Sequence, residues 1–255
     1  MLTDLHDRAV LVTGGSAGIG RAIAEAYRDE GARVAITYRT GREAAEEWAA
    51  AGGAAVPMDL EDPASVSGAV AAAAGRLGGL DVLVLNAVRW PAAGADRIED
   101  LPEEDWRAVL RANLEGAVAA VAAAAPALRA SELGRLVIIS SGVAEEGMPT
   151  AWAYAAAKAG LHGLARTLAW DLGRDGVLVN VVLAGFTATD RNRDRVPREL
   201  RERLGALTPQ GRISSPEEVA RLALFLGSGA NASVTGEVVR EGTSAARTPV
   251  MAARR

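Results

Sequence analysis

Tyr154 and Lys158 stand four residues apart in the run Tyr-Ala-Ala-Ala-Lys. A helix over residues 153–172 stacks both side chains on one face, about one turn apart. An ammonium beside a phenol favours the phenolate, so a tyrosine placed there becomes a usable acid and base near neutral pH. The pair stands out because Lys158 is the only lysine among 28 lysines and arginines. Arginine is a planar fork that keeps its charge, whereas lysine is a compact ammonium able to exchange protons. Thirteen residues before Tyr154 comes Ser141, directly after the apolar run LVIIS. A buried strand over that run delivers a hydroxyl to its C-terminal end.

Other elements must position this chemistry. Residues 9–13 (AVLVT) form a continuous apolar run, as a buried parallel strand requires. The turn Gly14-Gly-Ser16-Ala-Gly18-Ile19-Gly20 follows, then a helical pattern closing on Gly31. A strand, a glycine turn and a helix put a pyrophosphate on a helix N-terminus. The strand RVAITY ends at Tyr38-Arg39-Thr40-Gly41. An acid at this point would hold the ribose hydroxyls of NAD, and an arginine can take the 2′-phosphate of NADP. No acid stands at Tyr38 or Arg39, so Arg39 is the candidate phosphate anchor.

Strands are expected over 54–57, 80–85, 136–140, 176–183 and 237–240, and helices over 42–51, 63–77, 101–130 and 216–226. Helix 101–130 contains Asn113, a poor helix former, and an alanine run over 118–125 that offers a flat face. Residues 190–203 are dense in arginine and aspartate and read as a partly helical lid, whose full extent is set at about 186–205. Nothing marks a linker or repeat. The pattern predicts an α/β fold, one doubly wound parallel sheet over residues 1–244 with helices on both faces, and a tail over 245–255.

The bulk properties narrow the function. A net charge of −4 argues against nucleic acid as the main partner. The absence of cysteine removes disulfides and thiolate chemistry together, and two histidines, His6 and His162, make a metal centre unexpected. No apolar run reaches membrane-spanning length, and the N-terminus has no signal-like segment, so a cytoplasmic protein is expected.

With these residues placed, the chain resembles the short-chain dehydrogenase/reductase family over nearly its whole length, and among its members the 3-oxoacyl-carrier-protein reductases and biosynthetic ketoreductases. Thr13-Gly14-x-x-x-Gly18-Ile19-Gly20 matches the family's cofactor turn. Asp59-Leu60 matches its adenine-side acid, and Asn86-Ala87 part of its Asn-Asn-Ala-Gly signature. Asn113, Ser141, Tyr154 and Lys158 fall on its catalytic tetrad. Asn180, Gly185 and Thr189 match its Asn…Pro-Gly-x-x-x-Thr segment, which also contains Thr187. The resemblance implies a Rossmann fold and a nicotinamide cofactor. Tyr154 would move the proton, Lys158 would lower its pKa and hold the nicotinamide ribose, and Ser141 would bond the carbonyl oxygen. Asn113 would hold a water linking Lys158 to solvent, and Thr189 the nicotinamide carboxamide. Gly14, Ser16, Gly18, Ile19, Gly20, Arg39, Asp59, Leu60, Asn86, Ala87, Gly185 and Thr187 complete the expected cofactor site.

The chain departs from the family at four places. Leu85 and Val88 replace the first Asn and the Gly of Asn-Asn-Ala-Gly, Ala184 replaces the Pro of Pro-Gly, and Arg240 to Thr243 replace Val-Asp-Gly-Gly. Ala17 stands where many NADP-dependent relatives carry a basic residue. The leading expectation is an NADPH-dependent carbonyl reductase acting on a small ketone, free or borne on a carrier protein. NAD is the alternative cofactor. One rival is an alcohol dehydrogenase running toward oxidation. The other is a cofactor-binding regulatory protein without turnover. Trp90, Met148, Trp152 and Phe186 are expected in loops at the pocket. His162 is expected as a packed or interface histidine. A homotetramer is expected, formed through the alanine face of 101–130 and the outer face of the Tyr154 helix.

Overall fold

The computed structural model describes residues 3–91, 97–193 and 196–242. Seven strands make one sheet: β1 (Ala9–Val12), β2 (Arg33–Tyr38), β3 (Ala54–Pro57), β4 (Val82–Leu85), β5 (Arg135–Ser141), β6 (Leu178–Ala184) and β7 (Val238–Glu241). Their order is β3-β2-β1-β4-β5-β6-β7, and every pairing is parallel. The chain winds outward from β1 in one direction and then, from β4, in the other. The crevice beyond the C-terminal ends of β1 and β4 is therefore the place where a doubly wound sheet accepts a ligand.

The helices are α1 (Gly18–Asp29), α2 (Arg42–Ala50), α3 (Pro63–Leu77), α4 (Glu103–Leu110), α5 (Gly116–Ala130), α6 (Val143–Glu146), α7 (Trp152–Gly173), α8 (Asp190–Arg193), α9 (Arg198–Ala206) and α10 (Pro216–Leu226). Alternate strand residues serve the two faces. Val10, Val12, Val82, Val84 and Val137 pack with Ile23, Tyr27 and Trp48 and with Val219 and Leu226 of α10. Leu11, Leu83, Leu136 and Ile138 pack with Val66, Val70, Val121, Leu161 and Leu172 from α3, α5 and α7. Burial on both faces explains why these strands read as unbroken apolar runs rather than alternating ones.

Local signals set several helix ends. The Asp62 side chain accepts a hydrogen bond from Ala64 N at 2.9 Å, with Pro63 opening α3. Ser215 and Glu218 form a reciprocal cap on α10 ahead of Pro216.

The expected single helix over 101–130 is not continuous α-helix. It begins at Glu103, and between α4 and α5 the backbone widens into a π-helical turn, Arg111–Glu115. Such a turn admits one extra residue and is found mostly at functional sites. It carries Asn113, which is buried.

The alanine run also divides. Ala117, Ala120, Val121, Ala124 and Leu128 face the core, while Val118 is exposed. The inward alanines let α5 approach α3 and the sheet closely, so only the outer stripe remains for another chain. In the expected lid, α8 and α9 are helical, as anticipated, and Leu204 is buried. The expected tail, 245–255, lies outside the described residues.

Candidate active site

The site begins at the β1–β4 crevice. Thr13, the residue after β1, is buried, and its hydroxyl donates to Val84 O at 3.2 Å. The same oxygen accepts from Asn86 N at 2.9 Å and Ala87 N at 3.0 Å. Asn86 returns the contact, its Nδ2 donating to Thr13 O at 3.0 Å and Gly14 O at 3.3 Å. The glycine turn and the end of β4 are thereby locked together.

That lock leaves no room for side chains. A Cβ on Gly20 would lie 2.3 Å from Gly14 O and 2.4 Å from Asn86 Nδ2, and one on Gly15 would lie 2.5 Å from Ile36 Cγ2. Gly14 and Gly18 have φ of +67° and +56°, values that favour glycine. Gly18 and Ile19 open α1. A Cβ on Gly18 would come 3.5 Å from Thr189 Cγ2, which places Thr189 over the same turn. Ser16 faces the next loop, with its hydroxyl 3.4 Å from a Cβ built on Gly41. Bare backbone at a helix N-terminus, with hydroxyl side chains beside it, fits a dinucleotide pyrophosphate.

Arg39, at the end of β2, points toward Asp59 and Glu61. Its Nη1 is 3.1 Å from Glu61 Oε1 and 3.9 Å from Asp59 Oδ1. Glu61 is also paired with Arg89, so two guanidiniums share one carboxylate. Leu60 lies between these acids and α5, its carbonyl facing Gly116. Glu61 and Arg89 were not singled out in the sequence. A charge pair between residues 28 apart has no local pattern to betray it.

The expected tetrad converges at the C-terminal end of β5. Tyr154 is 5% exposed and Lys158 4%. Burial pushes the Tyr154 phenol up to about 12, opposed by a hydrogen bond with Ser141. Burial pushes the Lys158 ammonium down to about 8. Lys158 Nζ donates to Ile139 O at 2.8 Å and sits 5.9 Å from the centre of the Tyr154 ring. The sequence implies a phenol acidified by its lysine; in the folded chain desolvation is the larger influence on the phenol. The two side chains do share a face, but the ammonium is turned to a β5 carbonyl, and burial penalises the charged form of both groups.

Asn113 does not reach Lys158 with its amide. Its Oδ1 accepts from Arg89 N at 3.1 Å, and its Nδ2 donates to Arg89 O at 2.8 Å and Val109 O at 3.0 Å. The side chain is committed to clamping the loop after β4. Asn113 and Lys158 do line one small cavity together with Thr13, Leu60 and Ala87.

Trp90 lies on Tyr154 with ring centroids 4.5 Å apart and planes 20° apart. Val88 packs with Tyr154, Val109, Val143 and Met148, so this departure from the family pattern lines the phenol's apolar wall. Leu85 joins the core. Ala184 accepts from Gly142 N at 2.9 Å through its carbonyl, holding the Ser141 loop against β6.

Beyond β6, Thr187 Oγ1 donates to Gly185 O at 3.1 Å. Asn192 Oδ1 accepts from Thr189 N at 2.9 Å, and its amide donates to Thr187 O at 2.7 Å. Arg240 on β7 pairs with Glu146 at 2.8 Å and with Glu145, tying α6 to the sheet. Asn180 bonds Val234 O and Glu237 N, so it serves the β6–β7 connection. His162 is packed, with Nε2 2.8 Å from Ser140 Oγ. Among the described residues, no group of His, Asp and Glu is placed to hold a metal ion.

A glycine cradle at the switch point, with buried Tyr154 and Lys158 beside Ser141 at the next strand end, defines a nucleotide-dependent oxidoreductase. Residues 14–240 match the family described as enoyl-(acyl carrier protein) reductase. The chain is 34% identical over 241 residues to the 3-oxoacyl-[acyl-carrier-protein] reductase FabG of Escherichia coli K12, covering 92% of this chain and 96% of that one. It is 34% identical over 233 residues to an acetoacetyl-CoA reductase of Shinella zoogloeoides, covering 91% and 95%. A short-chain dehydrogenase of Burkholderia cenocepacia J2315, solved in complex with NADP, superposes with a TM-score of 0.84 at 34% identity, covering 95% and 99%. The chain belongs to the short-chain dehydrogenase/reductase family.

The cost of burying Lys158 is measurable without substrate. Its pKa is about 8 in the folded chain against 10.5 free, so between these values the unfolded chain binds more protons. Stability should therefore rise with pH across that window, and the charge penalty is fully present below it. Lys158→Met should raise stability at pH 7 by on the order of 3 kcal/mol at most, since one pKa unit corresponds to about 1.4 kcal/mol. Denaturant titrations from pH 7 to 10.5 should show the gap between variant and wild type closing. A gap independent of pH would mean that the ammonium is not desolvated.

Proposed function

We propose that the protein is an NADPH-dependent ketoreductase in which Tyr154 protonates the carbonyl oxygen of a ketone or 3-oxoacyl substrate. The observation that carries this reading is the placing of Tyr154, Lys158 and Ser141 at the C-terminal end of β5, beside the glycine cradle that a dinucleotide fits. Tyr154 is a phenol that can give a proton to a carbonyl oxygen there. The reductase names of two relatives point the same way.

Gly14 to Gly20, Asp59, Leu60, Asn86, Ala87 and the Gly185–Thr189 segment would hold NADPH, which would supply the hydride. Ser141 donates a hydrogen bond to the carbonyl oxygen, where negative charge develops. Tyr154 releases its proton to that oxygen. The phenolate left behind is stabilised by the Lys158 charge and then reprotonated. Asn113 acts on this set by holding the Arg89 loop. The described residues of the lid segment, 186–193 and 196–205, would cover the substrate. The activity belongs in the cytoplasm.

Tyr154→Phe tests the role directly. It should lower kcat about 10²–10⁴-fold, the usual worth of a positioned acid, while NADPH affinity changes only a few-fold. Retention of a tenth of the rate would remove Tyr154 as the donor.

Arg39 is the cation available to the 2′-phosphate, and it faces Glu61 and Asp59. Wild type should bind NADPH more tightly than NADH in a fluorescence titration, and Arg39→Ala should erase the difference. An unchanged preference would place phosphate recognition elsewhere.

The assembly we propose is a tetramer through the outer stripes of α5 and α7. Trp170 on α7 is 83% exposed, and Val118 on α5 is exposed too, an arrangement suited to a second copy of the chain. Sedimentation at micromolar concentration should show four times the chain mass, and a monomer alone would refute the assembly.

A further inference from the structure

We propose that Trp90 sets the substrate range, presenting its indole beside Tyr154 as a flat wall that admits planar substituents and turns away branched ones. The inference rests on the ketoreductase reading above and narrows it to a class of ketone.

The geometry is specific. One face of the Tyr154 ring is covered by the indole, with centroids 4.5 Å apart and planes inclined by 20°. Tyr154 keeps 5% of its surface while Trp90 keeps 43%. What solvent meets at this edge of the site is therefore the indole, and a ketone reaching the Tyr154 and Ser141 hydroxyls has to pass along it.

The wall is also held. Arg89, the residue before Trp90, has its N–H and its carbonyl both taken by the Asn113 amide. Its guanidinium is paired with Glu61. Val88, one residue earlier, packs against Tyr154 and Val109. Pro91 fixes the following φ. With both neighbours restrained, the indole cannot swing away without breaking the clamp or the stack.

A carbonyl carbon carries two substituents, and with its oxygen at Tyr154 and Ser141 one of them must lie along Trp90. A planar group can slide against the indole at stacking distance. A saturated ring of the same carbon count is thicker and meets it edge-on. Aromatic pairs are worth about 0.5–1.5 kcal/mol beyond area burial, so an aryl ketone should gain roughly 2–10-fold over its saturated counterpart.

The experiment compares kcat/KM for acetophenone and cyclohexyl methyl ketone with NADPH, in wild type, Trp90→Ala and Trp90→Phe. Wild type is expected to favour acetophenone by about 2–10-fold, the factor a stacked aromatic pair supplies. In Trp90→Ala the ratio should fall to near one, chiefly through better use of the cyclohexyl ketone. In Trp90→Phe most of the preference should return. Because Trp90 also excludes water from the phenol, the Trp90→Ala phenolate should appear at lower pH than the wild-type one by ultraviolet titration. A folding defect would lower both substrates alike and would not move their ratio. If wild type reduces both ketones without preference, or if Trp90→Ala keeps the wild-type ratio, the inference about Trp90 fails and the ketoreductase reading stands. If wild type reduces neither ketone nor any acyl thioester, both are overturned.

Discussion

The structure depends on a reversal of winding between two adjacent strands. β1 and β4 are neighbours in the sheet but 70 residues apart in the chain, and the helices leaving them go to opposite faces. The gap this opens must be closed without covering the backbone of the glycine turn, which has to remain accessible there. A single hydroxyl closes it. Thr13 bonds three backbone groups of β4 and its following loop, and Asn86 bonds back to the turn. Without the hydroxyl the part-buried N–H groups of Asn86 and Ala87 would lose this acceptor, a loss of up to about 1–3 kcal/mol apiece. The glycines are then a consequence of the lock: once Asn86 and Gly14 O approach so closely, position 20 has no space for a methyl group.

The second strand end shows how burial governs charge. Placing a phenol and an ammonium on successive turns brings opposite tendencies together, since desolvation keeps Tyr154 protonated and tends to neutralise Lys158. The two groups are thus driven apart in proton affinity, about 12 against about 8, where free tyrosine and lysine nearly coincide in the opposite order. The exclusion of water that keeps the proton on the phenol also weakens the ammonium beside it.

Much of this was legible in the sequence, because buried parallel strands write themselves as apolar runs and the glycine turn as a spacing. The N-terminal ends of α3 and α10 fall at Pro63 and Pro216, where the sequence reading starts those helices. The π-turn at Arg111–Glu115 was not legible, since one added residue in a long alanine-rich stretch scarcely disturbs an apolar pattern. Nor was the Asn113 clamp, which acts on backbone atoms 24 residues away. Arg39 reads in the sequence as a candidate phosphate anchor, and its pairing with Glu61 is a contact that only the folded loops create. The sequence marks Lys158 as a neighbour of Tyr154, but not the burial that raises the phenol's pKa. Spacing along a helix says that two groups are near, but says nothing of how much water remains around them.

The tie between Arg240 and the two glutamates of α6 carries a consequence for the order of events during synthesis. Glu145 and Glu146 lie just past Ser141, yet their partner is made about 95 residues later, on the last strand. A nascent chain with β1 to β6 complete has made Ser141, Tyr154 and Lys158 but not the cation that these two carboxylates share. The loop bearing Ser141 gains this restraint only when β7 docks beside β6.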